Sequence, residues 1–302
     1  TAFRNPNVRF ININIASFDA FKHGSALPVV ADARESLREL SDVISGYHVS
    51  AEYAALTAAE KAEWDAVVDE AFVPRGLEFP SQTEIIGAVQ QASDPRDVLV
   101  CAAGSLPGDL HKLWRVRDDL GYHVEYAFSC MGYEIAGAMG IKMARPDADV
   151  ICMLGDGSYM MANSELATAV MMGVPFTVVL TDNRGYGCIN RLQHGTGGAG
   201  FNNLLDDSYH VNPSHIDFAA HAGSMGARAL KVATIAELEA ALAEAKGAKI
   251  PTVIVIDTDP WPSTEAGGTW WDVAVPAVST RAEVNAAHAN YQKNTQNQRL
   301  AD

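Results

Sequence analysis

The sequence predicts an α/β fold: a parallel sheet with helices on both faces, preceded by a remnant of a second α/β domain. Three observations predict it. From Phe79 onward, apolar runs alternate with segments of helical periodicity. Those runs (Asp149–Leu154, Phe176–Thr181, Thr252–Thr258) are continuously apolar, the pattern of strands buried on both faces. The first fifty residues hold only strand, connection, strand and helix, which is too little for a closed core.

Val8–Ile15 (VRFININI) reads as a strand and Pro28–Ala31 as a second, short one. Asp32 caps a helix whose apolar stripe is Ala33, Leu37, Leu40 and Ile44. Residues 1–50 therefore read as the tail of a larger α/β domain that is mostly absent, although a native start at Thr1, after loss of an initiator Met, stays open. Residues 51–78 read as a linker, with a helix over Thr57–Phe72 opened by a Thr57/Glu60 capping box. Pro74, Gly76 and Pro80 break the chain and mark the domain boundary.

Residues 79–260 form the main domain. A Ser81/Glu84 capping box starts a helix through Ile85, Ile86 and Val89, and Asp97–Ala103 is a strand. Tyr133–Ala144 is a helix rich in Ala and Gly, able to lie close against a sheet. Strand Asp149–Leu154, helix Ser164–Met172 and strand Phe176–Thr181 follow. Ala227–Val232, Thr234–Lys246 and Thr252–Thr258 repeat strand, capped helix, strand. Residues 261–302 are a tail: a loop that packs Trp261, Trp270 and Trp271 around Gly267-Gly268, then a helix that frays in a polar end.

Composition narrows the function classes. Hydrophobic residues are 48% and charged residues 20%, the balance of a folded globular protein. A net charge of −15 repels phosphate backbones, so no nucleic acid partner is expected. No apolar run approaches the roughly 18–20 residues of a membrane helix, and the first residues lack a signal-peptide pattern. Cys101, Cys130, Cys152 and Cys188 form no C-x-x-C pair, and Asn212-Pro213-Ser214 is no glycosylation sequon. The expectation is a cytoplasmic protein without disulfides.

The chemistry lies at two strand ends. Asp149–Leu154 runs into Gly155-Asp156-Gly157-Ser158, and Phe176–Thr181 runs into Asp182-Asn183-Arg184-Gly185-Tyr186. Both segments leave the carboxyl ends of parallel strands, the ligand edge of such a sheet. If the strands are neighbours, Asp156 faces Asn183. A carboxylate and an amide oxygen suit a hard divalent cation that keeps open positions for phosphate. Gly185 lets a bare carbonyl turn inward, and the N–H groups of Gly157 and Ser158, ahead of a helix, can meet a diphosphate.

This spacing, Gly-Asp-Gly and then some two dozen residues to an Asn pair, resembles the signature of the thiamin-diphosphate-dependent enzyme superfamily. Here Asp182 replaces the first Asn of the pair. The resemblance implies thiamin diphosphate with Mg2+ held by Asp156, Asn183 and the Gly185 carbonyl. Ser129-Cys130-Met131-Gly132-Tyr133 resembles the segment that in acetolactate-synthase-like enzymes props the cofactor into a bent shape, which assigns that role to Met131. Gly104-Ser105-Leu106 matches a second diphosphate-facing loop, and Gly155 and Tyr186 complete the cofactor-binding set. The same resemblance makes residues 1–50 the end of a central α/β domain. Three further strings, Asp109–Trp114, Gly185–Gln193 and Phe201–Leu205, resemble the branch that hydrolyses a C–C bond to open a cyclic dione in inositol breakdown. The implied substrate is that small cyclic dione. A 2-oxoacid ligase or decarboxylase of the same superfamily is an alternative, and an inactive cofactor-binding fragment is another.

The family activates its cofactor with a Glu from a different domain, and no residue here matches it. No catalytic acid or base is therefore assigned, and the chain alone is expected to be inactive. Because the family builds its sites between subunits, a homo-oligomer is implied.

Two patterns are set aside. Gly195-Thr196-Gly197-Gly198-Ala199-Gly200 fits G-x-G-x-x-G, but it follows the helical run Ile189–Gln193 and opens no helix, so dinucleotide binding is rejected. His210, His215 and His221 match no zinc spacing, and His111 faces solvent as readily as a ligand.

Overall fold

The computed structural model describes residues 5, 7–22, 24–264 and 272–298. They fall into two compact units, one within Thr1–Trp64 and Gly268–Asp302, the other within Asp65–Gly267.

The first unit begins with β1 (Phe10–Asn14), the short helix α1 (Ser17–Ala20) and β2 (Ser25–Val30), and β1 and β2 pair in parallel. Helix α2 (Ala33–Val43) starts where Asp32 accepts the Glu35 N–H at 3.1 Å. None of its residues is buried, so its apolar stripe is exposed.

Helix α3 (Ala51–Ala71) crosses the division between the units. It starts six residues before the expected Thr57. Ser50 Oγ accepts the Tyr53 N–H at 3.1 Å, whereas the Thr57 hydroxyl donates to the Ala54 carbonyl at 3.0 Å from inside the helix. The Thr57/Glu60 capping box is thus overturned, because Ala51–Leu56 are helix formers and nothing stops the helix from starting earlier.

The second unit supplies α4 (Gln82–Ala92), β3 (Val98–Cys101), α5 (Ser105–Leu113), β4 (Tyr122–Val124) and α6 (Tyr133–Ala144). Then come β5 (Val150–Gly155), α7 (Asp156–Met161), α8 (Glu165–Met172), β6 (Thr177–Asp182) and α9 (Gly187–Gly195). It closes with α10 (Phe218–Ser224), β7 (Arg228–Val232), α11 (Ile235–Ala245) and β8 (Thr252–Asp257). The strands form one parallel sheet in the order β4-β3-β5-β6-β8-β7.

Helices cover both faces of this sheet. Val98, Val100, Cys152, Leu154, Val178 and Leu180 pack with residues of α6, α7, α8 and α10. The alternate residues Leu99, Ile151, Met153, Val179 and Ile254 are buried as well, on the other face, where α11 lies on β8 and packs against α4. Burial on both faces is why these strands read as continuous apolar runs. The Ser81/Glu84 capping box starts α4 as expected. Helices α5 and α10 and strand β4 go beyond the elements that the sequence predicts; each is short.

In the tail, α12 (Ala282–Thr295) is helical and Val284 is its buried residue. Trp261 packs edge-on against His194. Gly267, Gly268, Trp270 and Trp271 lie outside the described residues.

Candidate functional site

Strands β3, β5 and β6 are neighbours, so three loops leave the same carboxyl edge side by side: Gly104-Ser105, Gly155–Ser158 and Asp182–Tyr186. Gly155 pairs with Thr181, which sets Asp156 beside the β6 exit. Strand β5 turns directly into α7, so Gly157 and Ser158 lie in that helix's first turn rather than ahead of it.

The Asn183 amide reaches a point 2.7 Å from the Gly185 carbonyl oxygen and 3.3 Å from Asp156 Oδ1. Placed there, an amide NH2 donates to both. An amide oxygen there makes a third acceptor, a cluster that suits a cation. Cis oxygens around Mg2+ at its usual bond length are about 2.9 Å apart, between the two distances seen. The donor set therefore fits a hard divalent ion. Among the described residues no three His, Cys, Asp or Glu side chains group as a metal site. The two findings agree, since this centre uses one carboxylate, one amide and one backbone carbonyl.

Electrostatics point the same way. Burial pushes the Asp156 carboxyl up to about 7, and the charge of Asp182 adds to the shift. The N–H groups of Gly185, Asp156 and Gly157 oppose it only in part. A cation would supply the missing compensation. Burial also raises the Asp182 carboxyl, although it accepts the Arg184 N–H at 3.0 Å.

The loop after β6 is held in an unusual shape. Arg184 has φ 57° and Gly185 φ 147°. A Cβ on Gly185 would collide with the Asn203 oxygen and Leu204 Cα, so only glycine fits. Tyr186 N–H donates to the Asn203 carbonyl at 2.7 Å and Leu205 N–H to the Arg184 carbonyl at 2.9 Å. The Phe201–Leu205 string thus latches the loop that carries the Gly185 oxygen.

Gly157 sits between two side chains. A Cβ there would lie 2.8 Å from Tyr186 Cε1 and 3.4 Å from Met131 Cε. The structure therefore brings Met131, Gly157 and Tyr186 together from three separate segments.

Two hydroxyls in the expected cofactor set are engaged elsewhere. Ser158 donates to Glu134 Oε1 at 2.7 Å and accepts the Gly132 N–H at 2.9 Å. Ser105 donates to Gln82 Oε1 at 3.1 Å, and Gln82 donates to Asp109 at 2.5 Å. Both hydroxyls are thus committed to partners within the protein. Gly104, with φ 95°, caps α5 without a side-chain bond.

A cavity of about 370 Å³ opens beside the motif, bounded by Asp156, Gly157, Tyr186, Leu205, His215 and Ile216. A cavity of about 410 Å³ lies at the sheet's amino edge near Asp97 and Asp149 and contains none of the motif residues. His221 Nδ1 lies 2.9 Å from the Tyr159 hydroxyl and His210 Nε2 lies 3.0 Å from the Leu205 carbonyl, and among the described residues the three histidines form no metal cluster. His111 packs against the rings of Tyr122 and Tyr126. Gly195 ends α9, so the glycine-rich string follows a helix. All four cysteines are free.

Sequence reasoning missed Glu134, which is buried and joins the Met131 loop to α7. The signal was one carboxylate at the start of a helix that is otherwise apolar up to Lys142, YEIAGAMGIKMA.

Three comparisons with known proteins bear on this site. 3D-(3,5/4)-trihydroxycyclohexane-1,2-dione hydrolase of Halalkalibacterium halodurans is 36% identical over 318 aligned positions, covering 95% of this chain and 49% of that protein. The enzyme of the same name from Geobacillus thermodenitrificans is 38% identical, again over 95% of this chain and 49% of its own. The chain spans about half the length of the curated relatives it matches. A solved structure, the thiamine diphosphate-dependent 4-hydroxybenzoylformate decarboxylase of Rhodococcus jostii RHA1, superposes with a TM-score of 0.66. It covers 84% of this chain and 44% of that one at 19% identity, a likeness of fold. Residues 102–256, just over half of the 302, match the C-terminal TPP-binding domain of thiamine pyrophosphate enzymes, and the chain belongs to that family.

Proposed function

We propose that this chain is the diphosphate-binding part of a thiamin-diphosphate-dependent hydrolase that opens the ring of a trihydroxycyclohexane-1,2-dione in inositol breakdown. The observation that carries the reading is identity of 36–38% along 95% of the chain with relatives that bear that hydrolase name.

Asp156, Asn183 and the Gly185 carbonyl would hold Mg2+, and the cation would fix the diphosphate. The N–H groups of Gly157 and Ser158 would donate to phosphate oxygens, and those of Gly104 and Ser105 would do so from the neighbouring loop. Gly155 ends the strand that delivers Asp156. Met131, with Tyr186 across Gly157, would support the body of the cofactor. Thiamin diphosphate, when bound, supplies a nucleophilic carbon and an electron sink for C–C cleavage at a carbonyl. Water would complete the release and yield a ring-opened acid. No residue is assigned as the acid or base, and activation is expected from a Glu of another domain.

The bound site is expected to lie between subunits of a homo-oligomer. Four free cysteines suit a reducing cytoplasm, and no described helix is long and apolar enough to cross a membrane.

The test is an assay of the intact protein with thiamin diphosphate and Mg2+, offering the dione and pyruvate separately. Dione cleavage supports the reading, while turnover of pyruvate alone favours a 2-oxoacid ligase or decarboxylase. Calorimetry with cofactor and metal separates the remaining cases: an inert fragment gives no heat, whereas an inactive cofactor-binding fragment gives heat but turns over neither substrate.

A further inference from the structure

One buried carboxylate joins the segments that approach the candidate site from β4 and β5. Glu134, the second residue of α6, is 1% exposed. Its Oε1 accepts the Ser158 hydroxyl at 2.7 Å, and its Oε2 accepts the Gly132 N–H at 2.9 Å. Ser158 Oγ faces the same Gly132 N–H at 2.9 Å, which closes a three-membered network. Burial raises its carboxyl, and the Ser158 and Gly132 donors oppose that shift. A charge this deep persists only where donors compensate it, so the position of each donor is tied to the others.

The loop that carries Met131 needs such a tie. It begins at Glu125, an exposed carboxylate that accepts the Phe128 N–H at 3.1 Å and the Cys130 N–H at 2.6 Å. Ser129 has φ 51°, a conformation that a non-glycine residue seldom keeps unsupported, and Gly132 has φ 94°, which glycine adopts freely. A Cβ on Gly132 would lie 2.8 Å from the Ala162 Cβ, so the loop also presses on the end of α7.

We infer that Glu134 is a positioning residue: it locks the Met131 loop and the Asp156 turn into one piece, holding Met131 against Gly157 before any cofactor arrives. The inference rests on the proposed cofactor reading only for what Met131 then does. The rival is plain capping of α6, which would lower stability without loosening the loop.

Cys130 is exposed and adjacent to Met131, so its alkylation rate, read by peptide mass, reports the order of the loop. In the 302-residue chain without cofactor, Glu134→Ala is expected to speed Cys130 alkylation about tenfold. Glu134→Gln keeps an acceptor for Gly132 and gains a donor for Ser158 Oγ, and should stay within about twofold of the native rate. Leu238→Ala, a core truncation on α11, serves as the destabilised control and should leave Cys130 unchanged. A native rate in Glu134→Ala, or equal acceleration in Leu238→Ala, overturns the assignment. If Glu134→Ala does not fold, Ser158→Ala decides, because it removes the Ser158 bonds to Glu134 and Gly132 and keeps the bond from the Gly132 N–H to Glu134; an unchanged rate there also overturns it. Calorimetry with thiamin diphosphate and Mg2+ gives the second readout: affinity about tenfold weaker in Glu134→Ala and restored in Glu134→Gln. Failure of the native chain to bind counts against the proposed function, and the alkylation rates still decide the role of Glu134.

Discussion

Strands β1 and β2 pair in parallel, and so do β6 and β8; both pairs are rich in β-branched residues. Val178, Val179, Leu180, Val253, Ile254 and Val255 are all fully buried. In the first pair Ile11 is 65% exposed and Leu27 53%. The helices differ likewise. Gln82–Gln90 of α4 are all buried, whereas α2, with a clear apolar stripe, buries nothing. Residue type decides that a strand or helix forms; burial depends on how many layers cover it. The candidate site sits on the covered sheet, where strand ends are held firmly enough to aim oxygens at one point.

The comparison can be broken first in the core. Leu180→Ala should cost about 2–5 kcal/mol of stability, and Leu37→Ala, on the exposed stripe of α2, no more than about 0.5 kcal/mol. Urea unfolding of both variants checks this. A large loss from Leu37→Ala would mean that the stripe is covered in solution.

Next in size is the metal centre. Asp156→Ala should weaken Mg2+-dependent cofactor binding at least about 100-fold, because changes one shell further out already cost about 10–100-fold. Asn183→Ala removes an oxygen but no charge and should lose less. Calorimetric titration orders the two; native affinity in Asp156→Ala would sink the motif assignment.

Met131→Ala should reduce turnover of the assembled enzyme more than it reduces cofactor affinity, since the diphosphate anchor stays while the reactive geometry loosens. Steady-state rates beside binding isotherms separate the two effects.

The smallest effects test where α3 begins. Ser50→Ala should cost about 1 kcal/mol of helix stability, while Thr57→Ala should be neutral or stabilise by a few tenths of a kcal/mol. Circular dichroism melts read the difference, and the reverse order would restore a start at Thr57.

Much of this architecture was legible because its signals are local. The Ser81/Glu84 capping box, the run of Tyr133–Ala144 and the strands around Gly155 and Asp182 carry their evidence within a few residues. Thr57 misled because a capping pattern inside a longer run of helix formers looks the same as one at its start. Strand β4 was missed because three residues are too few to show a period.

Continuous apolar strands alternating with helices determined, from sequence alone, a parallel sheet with Gly-Asp-Gly and Asp-Asn at its strand ends. Which side chains face a ligand was left to the tertiary structure. Ser158 bonds Glu134 across 24 positions, and Ser105 bonds Gln82 across 23. Gly185 is shaped by Asn203 and Leu204 on a different segment. A hydroxyl takes the nearest strong acceptor in space, and no spacing rule along the chain records which acceptor folding brings to it.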